Sequence, residues 1–202
     1  NDEDYRNSIN EDLKEEGLTY QGTIEPKHLL WIIVEDLGVD VLESKLVKQL
    51  NGLKLAPFYG CYIVRPSKAL GLKDNPGRDK ALEKVNEVVG GEVVDFPGKT
   101  LCCGFPILTI NPENSVNMVA NHTIDAKERG ADAMVTPCPL CHLNLDGYQP
   151  NAASSRKREI DLPIIHLPQL VGLALGIDPK EMRLNKHIVS TKKLLSEIAV
   201  SP

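Results

Sequence analysis

The chain has 202 residues, 25% of them charged, and a formal net charge of −5. This length is sufficient for one domain with its own hydrophobic core. Mixed charges with a negative balance exclude a polyanion-binding surface, so no nucleic acid partner is expected. No apolar run approaches the ~20 residues of a membrane-spanning helix, so no membrane insertion is expected.

Helices and strands are predicted to alternate along the chain. Apolar periodicity predicts helices over 26–37, 40–50, 79–89, 115–129 and 168–175, and strands over 53–59, 93–94, 133–136 and 164–165. A further helix is expected after Pro137-Cys138, and loops are expected over 66–78 and 154–161. This order predicts an α/β fold with a mostly parallel sheet flanked by helices on both sides.

Three segments follow from this pattern. Residues 26–177 form the predicted α/β domain, 1–25 a polar, helical N-terminal segment expected to link it to a preceding domain, and 178–202 a helical C-terminal tail. The helices within 26–50 and the segment 178–198 are candidate docking elements, although core packing explains their apolar faces equally well.

All five cysteines of the chain follow predicted strands. Cys61 comes after the first strand, Cys102 and Cys103 after the second, and Cys138 and Cys141 after the third. Functional groups of parallel sheets gather beyond the carboxyl ends of the strands. The five thiols are therefore expected to meet at one edge of the sheet, whatever they bind.

Several soft thiolates brought to one point suit an iron–sulfur cluster. Two alternatives stay open: four of the five could hold zinc tetrahedrally, or the thiols could be metal-free or paired in disulfides. An odd number of cysteines argues against a secreted disulfide framework. The polar, acidic first residues also differ from a signal peptide, so a cytoplasmic location is expected.

The cysteine array resembles a known family. The pattern C-x40-CC-G-x33-C-x2-C is similar to the cysteine-rich CCG domain of heterodisulfide reductase B subunits and of related subunits of succinate, glycolate and sulfur-oxidising systems. Gly104 after the cysteine pair, Tyr59-Gly60 before Cys61 and His142 after Cys141 strengthen the resemblance, which runs from about Ser8 to the C-terminus.

The resemblance implies a noncubane [4Fe–4S] cluster held by Cys61, Cys102, Cys103, Cys138 and Cys141. Gly104 is expected to let the backbone turn tightly beside it. The expected function is an iron–sulfur redox subunit that reduces or forms a disulfide, with the five cysteines and His142, as a proton donor, in catalytic roles. His166 could also face the site, whereas His28, His122 and His187 are interpreted as structural or solvated.

The resemblance also implies partners. Proteins of this family carry two CCG domains in tandem, so we expect this chain to correspond to the C-terminal half of such a subunit. It should then need a second CCG domain, a ferredoxin-like iron–sulfur subunit, and a thiol or disulfide substrate, free or protein-bound. Phe105-Pro106 lies where methanogen-type subunits of this family tend to be glycine-rich. The bulkier pair is expected to narrow the pocket, which argues against the coenzyme M–coenzyme B heterodisulfide as substrate.

Two other functions stay open. One is an electron-transfer or docking subunit of a succinate- or glycolate-type oxidoreductase that performs no disulfide chemistry. The other is a structural zinc-binding domain that mediates assembly.

Overall fold

A computed structural model describes residues 2–200 and shows one parallel sheet with helices on both faces. Its strands are β1 (Lys54–Pro57), β2 (Glu92–Val93), β3 (Ala133–Thr136) and β4 (Ile164–His166), in the order β2-β1-β3-β4. Leu55 of β1 pairs with Val93 on one side and Ala133 on the other, and Val135 pairs with Ile165. The predicted α/β class is confirmed.

Helices make up most of the other regular structure. They are α1 (Glu3–Leu13), α2 (Leu29–Trp31, continuing as a π-helix over Ile32–Leu37), α3 (Val39–Lys45), α4 (Ala81–Val88), α5 (Pro112–Glu128), α6 (Pro139–Gly147), α7 (Gln149–Arg156), α8 (Leu167–Ala174) and α9 (Lys192–Val200). Short 3₁₀ turns lie at Lys14–Glu16, Arg78–Lys80, Pro97–Thr100, Phe105–Ile107 and Leu184–Lys186.

Alternate strand residues face opposite sides of the sheet, and each side carries its own core. Leu55 and Val135 belong to the first face, where they pack with α2, α4, α8 and α9, whereas Ala56 and Met134 belong to the second face with α5, α6 and α7. First-face core residues include Leu30, Leu82, Val85, Leu170 and Leu194, and second-face residues include Phe58, Phe96, Val119, Leu145 and Ile160.

The chain leaves the two central strands in opposite directions. From β1 it runs to α4 on the first face, and from β3 to α6 on the second face. Because β1 and β3 are neighbours, their carboxyl ends border a crevice between diverging connections. Such a topological switch point is the usual binding position in open parallel sheets.

The helices predicted over 26–37 and 40–50 are only partly correct. The first begins at Leu29 and changes to π geometry, and the second ends at Lys45. Val47, an apolar residue within the second predicted helix, is 76% exposed. The backbone N–H groups of Val47 and Lys48 donate to the Ala174 carbonyl, so a tertiary contact with α8 ends the helical pattern here.

The polar loop predicted over 154–161 is also partly wrong, because α7 continues to Arg156. The side chain of buried Gln149 bonds both backbone groups of Leu162, which fixes the start of α7 against the chain that leads into β4. In the N-terminal segment, predicted as a polar and helical extension, α1 forms and none of its residues is buried. The domain boundaries themselves stay predictions.

An ion-pair network joins the π-helix to the loop before α4. The Arg78 guanidinium donates to both carboxylate oxygens of Glu35, at 2.5 and 2.9 Å, and Lys27 lies 2.8 Å from the same carboxylate. The Arg78 guanidinium also stacks 5.1 Å from the centre of the Trp31 ring. The hydrogen bonds from Arg78 lower the pKa of Glu35 from 4.5 to about 2.

We expect Glu35→Gln to lower the free energy of unfolding by about 1 kcal/mol at neutral pH, the scale of a partly exposed ion pair. The Glu35 carboxylate contributes its full stability above pH 4.5 and loses it as the pH falls towards 2, because protonation removes the pairing. Urea unfolding at several pH values should therefore show that the difference in the free energy of unfolding between wild type and variant becomes smaller as the pH falls below 4.5. The exposed residue Glu43, changed to Gln, is the control; a gap that stays constant to about pH 3 would contradict the assignment.

Candidate metal centre

All five cysteines lie at the carboxyl edge of the sheet. Cys61 follows β1 by a short turn, Cys102 and Cys103 follow the 3₁₀ turn at Pro97–Thr100, and Cys138 is the N-cap residue of α6, with Cys141 in the first turn of that helix. Cys103 and Cys141 are buried, whereas Cys61, Cys102 and Cys138 are partly exposed. The set of five cysteines is thus accessible to solvent at Cys61, Cys102 and Cys138.

The thiols contact one another in two sets. The Cys141 thiol hydrogen bonds with the sulfurs of Cys103 and Cys138, which raises the pKa of Cys141 because its proton serves both neighbours. The same bonds lower the pKa of Cys103 and bring that of Cys138 down to about 6. In the second set, burial and then the neighbouring Cys102 raise the pKa of Cys61.

Backbone amides point at the sulfurs. The Gly104 N–H donates to Cys102 Sγ at 3.4 Å, and the Phe105 N–H to the sulfur of Cys103. At the start of α6, the N–H groups of Cys141 and Leu140 donate to the sulfur of Cys138. Amide donors of this kind stabilise thiolate charge and tune the potentials of iron–sulfur centres.

Two glycines shape the site by lacking a side chain. A Cβ at Gly60, which has φ +71°, would lie 2.7 Å from Cys141 Sγ. A Cβ at Gly104, with φ +96°, would lie 2.9 Å from backbone atoms of Ser115 in α5. Gly104 therefore allows a close approach to α5. Its expected role in the turn beside a cluster stays a prediction.

Side chains outside the cysteine motif hold the loops. Asn144 Nδ2 donates to the Cys103 carbonyl at 2.8 Å, His122 Nε2 lies 2.9 Å from the Cys102 carbonyl oxygen, and Arg65 donates to the Thr100 carbonyl at 2.9 Å. The sequence analysis interprets His122 as structural or solvated and does not select Asn144 or assign Arg65 a role. No local pattern marks these residues, because each partner is 20 or more positions away in the chain.

His142 contacts histidines. Its ring centre is 4.8 Å from that of His187 and 6.0 Å from that of His166. Burial, and then the nearby His187, lower the pKa of His142, so the neutral ring is favoured. Burial likewise lowers the pKa of His166, whose ring hydrogen bonds with the Pro137 carbonyl in the loop before Cys138. The catalytic role assigned to His142 stays a prediction.

The donor set fits an iron–sulfur cluster. Five thiols, three of them partly exposed, share one edge with amide groups directed at sulfur and a glycine whose missing Cβ leaves room beside Cys141. Within residues 2–200, no three Cys, His, Asp or Glu side chains are arranged around the position of a single ion. A centre of several irons takes its thiolates over a wider span than one ion, so this spread is compatible with a cluster.

The fold and this edge define a cysteine-rich α/β protein, and comparison with known proteins identifies its family. The family model described as a cysteine-rich domain, CCG, matches residues 55–146, which contain all five cysteines. The chain belongs to this CCG family, as the motif predicted.

Relatives match beyond that region. The chain is 38% identical over 189 residues to the 8-methylmenaquinol:fumarate reductase membrane anchor subunit of Wolinella succinogenes, covering 94% of this chain and 66% of that protein. It is 30% identical over 203 residues to the B subunit of the ferredoxin/F(420)H(2)-dependent CoB-CoM heterodisulfide reductase of Methanosarcina acetivorans, covering 98% and 66%. A protein of Archaeoglobus profundus that is described as like the heterodisulfide reductase B subunit is 30% identical over 177 residues, covering 86% and 59%. The chain thus spans about two thirds or less of these relatives' length.

The fold also matches a solved structure. A hypothetical protein from Helicobacter pylori superposes with a TM-score of 0.69 at 17% identity, covering 94% of this chain and 34% of that one. This likeness concerns the fold alone. Across residues 2–200, the helices all fall short of the length and apolarity needed to cross a bilayer.

We expect Gly60→Ala to impair the centre, because its Cβ would collide with Cys141 Sγ. Gly52→Ala is the matched control, since Gly52 has a similar φ of +84° but nothing within 4 Å of an added Cβ. Both variants should lose about 1 kcal/mol or more to backbone strain. Only Gly60→Ala should also lose bound metal, measured per chain after anaerobic purification; equal metal contents in the two variants would contradict the assigned contact.

Proposed function

We propose that this chain is an iron–sulfur redox subunit with a noncubane [4Fe–4S] cluster held by Cys61, Cys102, Cys103, Cys138 and Cys141. The observation that carries the proposal is the meeting of all five cysteines at the crevice between β1 and β3. When bound, such a cluster supplies single electrons and a Lewis-acidic iron that lowers the thiol pKa of a leaving sulfur.

The protein's own groups prepare this edge for thiolate chemistry. Cys138 has a pKa of about 6 because the Cys141 thiol and two backbone N–H groups hydrogen bond with its sulfur, so it is deprotonated at neutral pH. Partial exposure of Cys61, Cys102 and Cys138 leaves a path for a substrate sulfur. We therefore propose a disulfide as the substrate, free or protein-bound, which takes two electrons and two protons to give two thiols.

The surroundings of the cysteines support a partner that covers them. Tyr62 is 67% exposed, Leu101 49% and Leu140 38%, and each is adjacent in sequence to a cysteine. Apolar side chains grouped in this way mark interaction surfaces. The proposal therefore includes a second CCG domain at this edge. It also keeps the expected ferredoxin-like electron source and the expected cytoplasmic location.

A second function is favoured by one observation. Identity to the fumarate reductase membrane anchor subunit, 38%, exceeds the 30% identity to the heterodisulfide reductase subunits. The alternative is an electron-transfer or docking subunit of such a complex, in which the same cysteines hold a cluster that performs no disulfide chemistry.

Metal analysis of protein purified without oxygen tests the common basis of both functions. We expect about four irons and four sulfides per chain, as a [4Fe–4S] centre requires. Stoichiometric zinc without sulfide would reject both and leave a structural role.

We expect Cys103→Ser to lose most of this iron, since a hydroxyl replaces a thiolate ligand. Ala152→Ser is the matched control, because it places the same buried hydroxyl in the same second-face core, away from the cysteines. Full iron retention by Cys103→Ser would refute the ligand role of Cys103.

Titration with thiols and disulfides separates the two functions. If the chain performs disulfide chemistry, adding a substrate thiol to the oxidised protein should change the electron paramagnetic resonance spectrum in a saturable way, because a sulfur then binds at the centre. A spectrum that stays unchanged with small thiols and with thiol-bearing proteins, in a protein that still exchanges electrons with a ferredoxin, would favour the electron-transfer function.

A further inference from the structure

The loop that carries Cys61 and the loop that carries the Cys102-Cys103 pair are tied together by their backbones. The N–H groups of Tyr59 and Gly60, just before Cys61, both donate to the Lys99 carbonyl, at 2.8 and 3.2 Å. Lys99 lies in the 3₁₀ turn Pro97–Thr100, which leads directly to Cys102. One carbonyl group therefore links two loops that are about 40 positions apart in the sequence.

The side chains of Tyr59 and Lys99 are also joined, through the carboxylate of Glu83. The Tyr59 hydroxyl donates to one carboxylate oxygen of Glu83 in α4, and Lys99 Nζ lies 2.9 Å from the other oxygen. Tyr59 is 1% exposed and Glu83 6%. The Leu82 N–H donates to the Tyr59 hydroxyl at 2.9 Å, which orients this hydroxyl towards Glu83.

Tyr59 and Lys99 are therefore connected twice, which closes a ring. Their backbones are joined at the Lys99 carbonyl, and their side chains are joined through Glu83. A buried carboxylate costs much free energy unless it is paired and hydrogen bonded, and here both oxygens have a partner. Because the ring joins the two loops at two separate points, it resists both translation and rotation of one loop against the other, which a single hydrogen bond does not.

We propose that Tyr59, Glu83 and Lys99 form a clamp that sets the separation of Cys61 from Cys102, and that they are positioning residues for the metal centre. The part concerning the metal rests on the function proposed above. The part concerning the separation of the two cysteines does not, because it can be measured on metal-free protein.

The metal-free test forms a disulfide between Cys61 and Cys102, which are free thiols that interact with each other. In a glutathione redox buffer, one oxidised glutathione takes two electrons from the two thiols and leaves as two reduced glutathiones, with both thiol protons. The equilibrium reports the effective concentration of one cysteine at the other. Peptide mapping by mass spectrometry identifies this disulfide among the others.

We expect Tyr59→Phe to lower this effective concentration roughly tenfold, the factor that corresponds to one lost hydrogen bond to a charged group. Lys99→Met should act in the same direction, and Lys99→Arg should restore the wild-type value because it keeps the cation beside Glu83. If Tyr59→Phe does not fold, Glu83→Gln replaces it, since the amide keeps the shape and one acceptor.

Two control variants separate positioning from general stability. Tyr148→Phe makes the same chemical change at a half-buried tyrosine between α6 and α7. Leu194→Ala truncates a buried side chain of α9 in the first-face core and lowers the thermal midpoint. Both should keep the wild-type effective concentration. A fall in Leu194→Ala equal to that in Tyr59→Phe, or no fall in Tyr59→Phe, would overturn the clamp.

The metal-bound test uses the same variants after anaerobic reconstitution with iron and sulfide. Tyr59→Phe and Lys99→Met should release iron to a chelator roughly tenfold faster than wild type and show a broadened electron paramagnetic resonance spectrum, while Lys99→Arg matches wild type. Wild-type release rates and spectra in Tyr59→Phe would overturn the positioning role. Failure of wild type itself to take up iron would instead reject the proposed function, and the disulfide equilibrium would still decide the clamp.

Discussion

The pairing of β1 with β3 determines where the cysteines meet. The chain leaves β1 towards the first face and β3 towards the second, so the exits diverge and open a crevice at the carboxyl edge. Cys61 follows β1 and Cys138 follows β3. The register that pairs Leu55 with Ala133 sets the relative positions of the two cysteines along the strand direction. The loop with Cys102 and Cys103 reaches the same crevice after β2, the strand on the other side of β1.

Within this crevice, charge and space are arranged around Cys141. Its buried thiol donates to two neighbouring sulfurs, the start of α6 supplies amide groups to Cys138, and Gly60 leaves the volume that a Cβ would occupy. The thiolates of Cys103 and Cys138 are thus stabilised by the fold before any metal binds. This preparation is common to a disulfide-reducing and an electron-transferring subunit.

Elements with a strong local signal were predicted closely. The strand at Ala133–Thr136 is a buried apolar run between Gly130 and Pro137, and the helix Ala81–Val88 has regular apolar spacing. Where tertiary contacts compete with periodicity, the prediction failed. The helical pattern over 40–50 ends at Lys45 because the next N–H groups bond to α8, and α7 was missed because Gln149 gains its partners from Leu162.

The residue pattern alone is sufficient for the α/β class, the CCG motif and the convergence of five thiols, because strands of period two and helices of period 3.6 are local features and parallel strands share a carboxyl edge. The strand order, the buried Glu83 with its two partners, and the contacts of His122 and Asn144 with the Cys102 and Cys103 carbonyls were decided only by the tertiary structure. These interactions join residues that are distant in the chain, and they form only when packing of the two sheet faces brings their elements together.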